Sequence, residues 1–92
     1  MKITTKEWDA SEYLDNPEII KEYLKAAFED GDSDVIMAAI GNVAKARGMS
    51  EIAEKTNLSR QNLYKAFSSS GSPKFDTVKK VIEALNCKLI IA

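Results

Sequence analysis

A run of polar and basic side chains with several hydrogen-bonding groups occupies residues 59–67, SRQNLYKAF. Arginine can pair with both acceptor atoms of guanine and glutamine with adenine, so Arg60 and Gln61 have the chemistry of direct base recognition. Tyr64 follows within one helical turn and can contact a sugar or a thymine methyl group. This mixture of residue types predicts a face that reads DNA, provided that one helix presents the side chains together.

Further polar residues suit the DNA backbone. Ser59 begins the stretch, where it is the predicted N-cap of the helix, and joins the predicted DNA-binding set. Asn62, Lys65 and the hydroxyl of Ser50 are suited to phosphate contacts. No acidic residue occurs in the segment 60–75, where phosphates would lie. The alternative interpretation is the solvated face of a helix in an ordinary bundle.

A helix-turn-helix over about residues 50–67 would turn this face outward. Two short helices that cross steeply need a small residue where they approach, and Ala53 is small. The turn needs a residue that tolerates a left-handed backbone, and Asn57 is the best choice after glycine. An apolar residue must plug the crossing, and Leu58 follows the turn. The second helix then directs its apolar residues inward: Leu63, Ala66 and Phe67.

Capping signals and apolar spacing predict three more helices, five in all. The first begins at Asn16-Pro17, with asparagine as N-cap and proline at the first helical position, and Gly31 ends it. The second spans residues 34–47, and the last runs over about 75–86. Each carries apolar residues three and four positions apart, the spacing of one buried helical face.

The C-terminal tail CKLIIA is short, apolar and partly β-branched, which predicts a strand. A single strand cannot satisfy its own backbone, so it needs a partner in KITT near the N-terminus or in a second copy of the chain. The alternative is a coil packed against the core. The predicted organisation is a partly irregular arm over residues 1–15 and one DNA-binding domain over residues 16–92.

The composition removes most catalytic and metal-binding chemistry. The 92 residues include no histidine and one cysteine, which excludes Ser-His and Cys-His pairs and zinc sites built from these residues. Carboxylates remain, without a glycine-rich phosphate loop beside them. We therefore expect no enzyme, no cofactor and no metal. No signal-peptide core and no apolar run of membrane length are present, which predicts a cytoplasmic protein without a membrane partner.

The formal net charge of −1 averages two segments of opposite sign. Residues 1–34 hold four lysines against ten acidic residues, a net charge of −6. Residues 45–80 hold eight basic residues against three acidic ones, a net charge of +5. Such asymmetry indicates one surface for an anion such as nucleic acid and another for a basic partner. The alternative is a chance distribution over solvated faces.

Residues 12–90 together resemble the HigA-like addiction-module antidote proteins, whose fold is the lambda-repressor-like (Cro/C1, XRE) helix-turn-helix. The resemblance implies an all-α fold of five helices, to which our own interpretation of the tail adds a short C-terminal β-strand. It is carried by short motifs spread along the chain: Tyr13-Leu14-Asp15, Tyr23-Leu24, Gly31-Asp32, Arg47-Gly48-Met49-Ser50, Leu58-Ser59-Arg60, Leu63-Tyr64-Lys65 and Pro73.

The resemblance implies an antitoxin of a type II toxin–antitoxin pair that silences a small basic RelE/ParE-like toxin and represses their shared operon. It places DNA contact on residues already singled out by chemistry: Ser59, Arg60, Gln61, Tyr64 and Lys65. Two positions depart from the family pattern. Asn57 stands where glycine is usual, and Gln61 stands where glutamate is frequent, which would change base preference.

The family pattern does not fix the residues that contact the toxin. Our inference is the acidic N-terminal third, because a basic toxin would be attracted to it. Aromatic residues there could serve as anchors, although Tyr23 and Phe28 fit the core better. The aromatic candidates are Trp8, Tyr13, Tyr23 and Phe28.

We also expect a homodimer that reads half-sites of an inverted repeat, with its recognition helices about 34 Å apart. The predicted dimer contact is the last helix with the tail Lys88–Ala92. Two other functions fit the same residues. One is a stand-alone phage-type repressor without a toxin, and the other is a protein-interaction module that does not bind DNA.

Overall fold

The computed structural model describes residues 16–91, so the predicted arm over residues 1–15 lies outside the described part of the chain. Five α-helices follow one another: α1 (Pro17–Asp30), α2 (Ser33–Arg47), α3 (Met49–Thr56), α4 (Arg60–Ala66) and α5 (Phe75–Ala84). The predicted all-α class is confirmed for this part. The predicted starts of α2 and α3 differ from the structure by one residue each.

Side-chain and glycine caps explain where the first helices begin and end. The Asn16 side chain accepts a hydrogen bond from the Glu18 N–H at 2.8 Å, and Pro17 occupies the first helical position. Gly31 ends α1 in the left-handed conformation, with φ of 85°. Asp32 then caps α2 by accepting from the Asp34 N–H at 2.8 Å.

The core draws on all five helices. α1 packs on α2, and α3 lies against α2, α4 and α5. The most deeply buried large side chains come one or two from each helix: Ile20, Ile40, Val43, Ile52, Leu63 and Val81. Because α4 is only seven residues long, its position depends on this packing rather than on intrinsic helix stability.

The predicted C-terminal strand is not formed. After α5, Asn86 adopts a left-handed backbone with φ of 63°, and residues 87–91 have no regular secondary structure. No strand exists elsewhere in residues 16–91 to pair with the tail. The two partners predicted for it, KITT and a second copy of the chain, lie outside the described residues. The tail is not fully packed as coil either, because Ile90 is 81% and Ile91 102% exposed.

Phe75 fits the apolar pattern of the last helix, yet its position as first residue of α5 leaves it 69% exposed. Among the helices of residues 16–91, none has the length and apolar character needed to cross a membrane.

Candidate nucleic-acid interface

A tight turn over residues 57–59 joins α3 to α4. Asn57 adopts φ of 62° and ψ of 30°, the left-handed conformation predicted for this position. The backbone N–H groups of Asn57 and Leu58 both donate to the Ala53 carbonyl, the latter at 3.1 Å. These bonds satisfy a carbonyl at the helix end and reverse the chain within three residues. Leu58 packs half-buried against the core, as predicted.

Two buried residues of α3 were missing from the sequence interpretation. Thr56, the last residue of α3, is 5% exposed, and its hydroxyl donates to the Ile52 carbonyl at 2.7 Å. Its signal is the ability of threonine to bond the carbonyl four residues earlier, which satisfies a buried hydroxyl. Met49 is 5% exposed and anchors the start of α3. Together they hold α3 firmly against its neighbours.

A cap and two buried side chains fix the orientation of α4. The Ser59 hydroxyl accepts from the Asn62 N–H at 3.0 Å, which confirms its predicted N-cap role. Leu63 is 1% and Phe67 8% exposed. Since side chains three and four positions apart share one helical face, burial of these two directs Tyr64 and Lys65 outward.

The structure leaves all seven predicted DNA-binding residues exposed to solvent. Six of them lie on α4 or its cap, and we call this set the α4 face: Ser59, Arg60, Gln61, Asn62, Tyr64 and Lys65. The seventh, Ser50, lies apart from the set in the first turn of α3.

Tyr64 differs from the rest of the α4 face because it also borders a shallow cleft of about 290 Å³ between α2 and α4. Lys45 and Asn42 of α2 line the same cleft. The Asn42 amide in turn donates to the Tyr23 hydroxyl at 3.0 Å. Lys45 is therefore a basic neighbour of the α4 face that sequence reasoning did not include, since only the packing of α2 on α4 brings it there.

The basic residues of the α4 face differ from several on the other helices, because they form no ion pair with described residues. Within residues 16–91, Glu51 of α3 lies 3.1 Å from Lys55 and 3.8 Å from Arg47, and Asp76 of α5 lies 3.3 Å from Lys80. Arg60 and Lys65 form no such pair with any described residue. Their charges are thus available to an external anion.

Metal binding is the other chemistry that a site could offer. Within the described residues, no group of three or more Cys, Asp or Glu side chains is placed to hold a metal ion. The exposed donors of α4 are therefore the strongest candidate site that the described part of the chain presents.

Comparison with known proteins decides the family. The sequence profile of a family described as "Probable addiction module antidote protein" matches residues 4–92. This chain belongs to that antidote family. An uncharacterised protein of Haemophilus influenzae is 43% identical to it over 81 residues, which cover 88% of this chain and 84% of the relative. No solved structure matches the chain.

Membership confirms the antidote part of the resemblance. An antidote of an addiction module has an antitoxin role, so the family implies a toxin as partner. The role is one typically filled by proteins that are not enzymes. The HigA-like and XRE assignments, the kind of toxin and the binding of DNA stay predictions.

Proposed function

We propose that this antitoxin binds the operator of its own operon through a lambda-repressor-like helix-turn-helix formed by α3 and α4, and neutralises a RelE/ParE-like toxin through a different surface. The observation that carries the DNA-binding proposal is the α4 face. It combines base-reading and phosphate-binding side chains on a helix fixed by Leu63 and Phe67, with no carboxylate within it.

Each residue of the α4 face has a proposed task. Arg60 and Gln61, in the first turn of α4, read guanine and adenine in the major groove. Tyr64 contacts a sugar or a thymine methyl group. Phosphate contacts are assigned to Ser59, Asn62, Lys65 and, from the start of α3, Ser50. The Ser59 oxygen already accepts the Asn62 N–H, and its hydroxyl proton remains for a phosphate oxygen.

A homodimer would present two such faces to an inverted repeat. Exposed apolar side chains support a dimer contact that involves the start of α5 and the tail, because Phe75 is 69% and Ile91 102% exposed. A second copy would cover both residues and could pair the two tails as strands. Light scattering on the purified chain at tens of micromolar should give twice the monomer mass, and Ile91→Asp should shift the mass toward the monomer. A monomeric wild-type chain would refute this dimer.

The proposed toxin surface is the exposed acidic side of α1, its connection to α2 and the first turn of α2. We call the following set the acidic surface: Glu18, Glu22, Glu29, Asp30, Asp32 and Asp34. Two exposed apolar residues accompany it, Ile19 at 46% and Val35 at 42%. A basic protein would gain both charge attraction and apolar contact here. Tyr23 and Phe28 pack against the core, which favours a structural role for them.

Fluorescence-anisotropy titration tests the DNA-binding proposal. The duplex immediately upstream of the gene is compared with a scrambled duplex of equal composition at several salt concentrations. We expect a preference of about a hundredfold or more for the upstream duplex, and affinity that falls steeply as salt rises. Weak and equal binding to both duplexes would contradict DNA reading and favour the protein-interaction module.

A toxin-like reading frame beside the gene separates the antitoxin from a stand-alone repressor. The product of that frame should copurify with this chain when the two are expressed together. Failure to copurify, with operator binding intact, would favour the stand-alone repressor.

A further inference from the structure

An open groove of about 590 Å³ lies between α1, α5 and the C-terminal tail, next to the acidic surface of α1. Its floor is apolar and comes from three segments that are distant in sequence: Leu24 and Phe28 of α1, Ile82 of α5, and Leu89 and Ile90 of the tail. Its rim is basic: Lys21, Lys25 and Lys88. No carboxylate is among the described residues that line it.

Within residues 16–91, no segment covers the apolar floor of this groove where the tail forms it. Leu89 is 40% and Ile90 81% exposed, although both belong to the apolar floor. The three rim lysines form no ion pair with any residue of the described segment 16–91. An apolar floor within a basic rim fits a segment that carries large apolar side chains between carboxylates.

The chain itself contains such a segment. Residues 7–15, EWDASEYLD, hold four acidic residues and no basic one. Between the carboxylates stand three large side chains: Trp8, Tyr13 and Leu14. Both the sign of the charge and the apolar content of this segment match the groove.

The segment is also long enough to reach every part of the groove. It joins α1 directly before Asn16, and the groove extends along α1 as far as Phe28, roughly 17 Å from the helix start. The eight residues from Trp8 to Asp15 span roughly 26 Å when extended. The connection therefore allows residues 7–15 to run back along α1.

We propose that residues 7–15 fold back along α1 and occupy this groove in the same chain, with apolar side chains on the floor and carboxylates against the rim lysines. The same groove of a second copy is a poorer occupant, because two basic rims of three lysines each would then face one another. The contact is independent of DNA binding and uses neither Phe75 nor Ile91. With Lys21 and Lys25 neutralised, α1 would present a more uniformly acidic surface to a basic partner.

Trp8 is the one tryptophan of the 92-residue sequence, so its fluorescence reports on the arm without labelling. In the full chain, we expect the emission maximum to lie to the blue of that of the same chain in urea, and acrylamide to quench it less steeply. Lys21→Glu/Lys25→Glu should shift the emission toward the urea value. Lys88→Glu, which lies outside every helix and cannot weaken α1 directly, should do the same. Circular dichroism confirms that each variant is folded.

Lys74→Glu/Lys79→Glu is the matched control, since both lysines are exposed and neither lines the groove. Its emission should equal that of the wild type. Three results would overturn the proposal. They are a folded wild type whose Trp8 emits as it does in urea, a blue shift that grows with protein concentration, and a shift that survives both groove-lysine variants. The second of these would assign the arm to the groove of another copy.

Discussion

The α4 face and the acidic surface are both exposed and polar, yet they carry opposite charge and are supported differently. The α4 face has two cations and no carboxylate, on a helix of seven residues held by Leu63 and Phe67. The acidic surface has six carboxylates and spreads over a helix of fourteen residues, its connection to α2 and the first turn of α2. A net charge of −1 describes neither region. Partners respond to the local field, so the distribution of charge carries the functional information.

The difference in support also matters. A base-reading face needs side chains held in one register, and a capped helix with deeply buried anchors provides it. A surface that attracts a basic protein by charge tolerates looser placement, since rim charges act mainly on the rate of association. The proposed tasks of the two regions follow from both charge and rigidity.

Among the changes that test this difference in support, removing the buried anchor of α4 should have the largest effect. Leu63→Ala deletes a side chain that is 1% exposed, and we expect a loss of about 2–5 kcal/mol in the free energy of unfolding. Urea denaturation followed by circular dichroism measures it. Gln61→Ala, an exposed neighbour on the same helix, should stay within about 0.5 kcal/mol of the wild type. Equal effects from the two variants would mean that Leu63 does not anchor α4.

Removing a cation of the α4 face should have the second-largest effect, a loss of affinity for DNA. Arg60→Ala should weaken operator binding by about 1–3 kcal/mol and relax preference at one base pair, because a bidentate contact to guanine is lost. Lys65→Ala should weaken all duplexes alike and reduce the salt slope by about one. Anisotropy titrations with operator variants measure both effects. Lys79→Ala, an exposed lysine on α5, is the control, and a loss as large as that of Arg60→Ala would refute the assignment.

Reversing one charge on the acidic surface should give a smaller change and act on the other partner. Glu29→Lys should slow association with the copurifying toxin by roughly threefold to tenfold, while operator affinity stays unchanged. Surface plasmon resonance at low and high salt measures the association rate. Glu83→Lys, the same change at an exposed position of α5, should leave that rate near the wild-type value. If the two variants behave alike, the acidic surface is not where the toxin binds.

The turn between the two short helices should have a smaller effect on stability than the anchor of α4. Asn57→Gly should raise the free energy of unfolding by about 0.5 kcal/mol or less, because glycine adopts the left-handed backbone without steric cost. Asn57→Ala should lower it by about 1–2 kcal/mol. Thermal unfolding of both variants checks the order. Greater stability with alanine than with glycine would show that the left-handed backbone is not a constraint at this position.

Much of this fold was predictable from local chemistry. Caps and glycine stops at Asn16, Gly31 and Ser59 fixed helix ends to within about a residue, since they act between near neighbours. The outward direction of Gln61 and Lys65 followed from helical periodicity once Leu63 was taken as buried. The arm and the proposed dimer remain predictions.

Features that depend on contacts between distant segments were not predictable. The tail satisfies the pattern of a strand, but a strand requires a partner that local sequence cannot supply. Phe75 has a core residue type, yet its place at the first position of α5 exposes it. The approach of Lys45 to Tyr64 and the groove beside α1 exist only because separate helices pack together. The cleft that Lys45 and Tyr64 share and the groove beside α1 therefore could not be predicted from helical periodicity.

The most direct test of the separation between the two regions is a nuclear magnetic resonance titration of the isotope-labelled chain with its upstream duplex. Amide shifts report, residue by residue, which region contacts DNA. We predict that the shifts concentrate at residues 59–65 and the start of α3, and that residues 18–34 stay unaffected. Shifts centred on residues 18–34, or none at α4 under conditions where the duplex binds, would contradict the account.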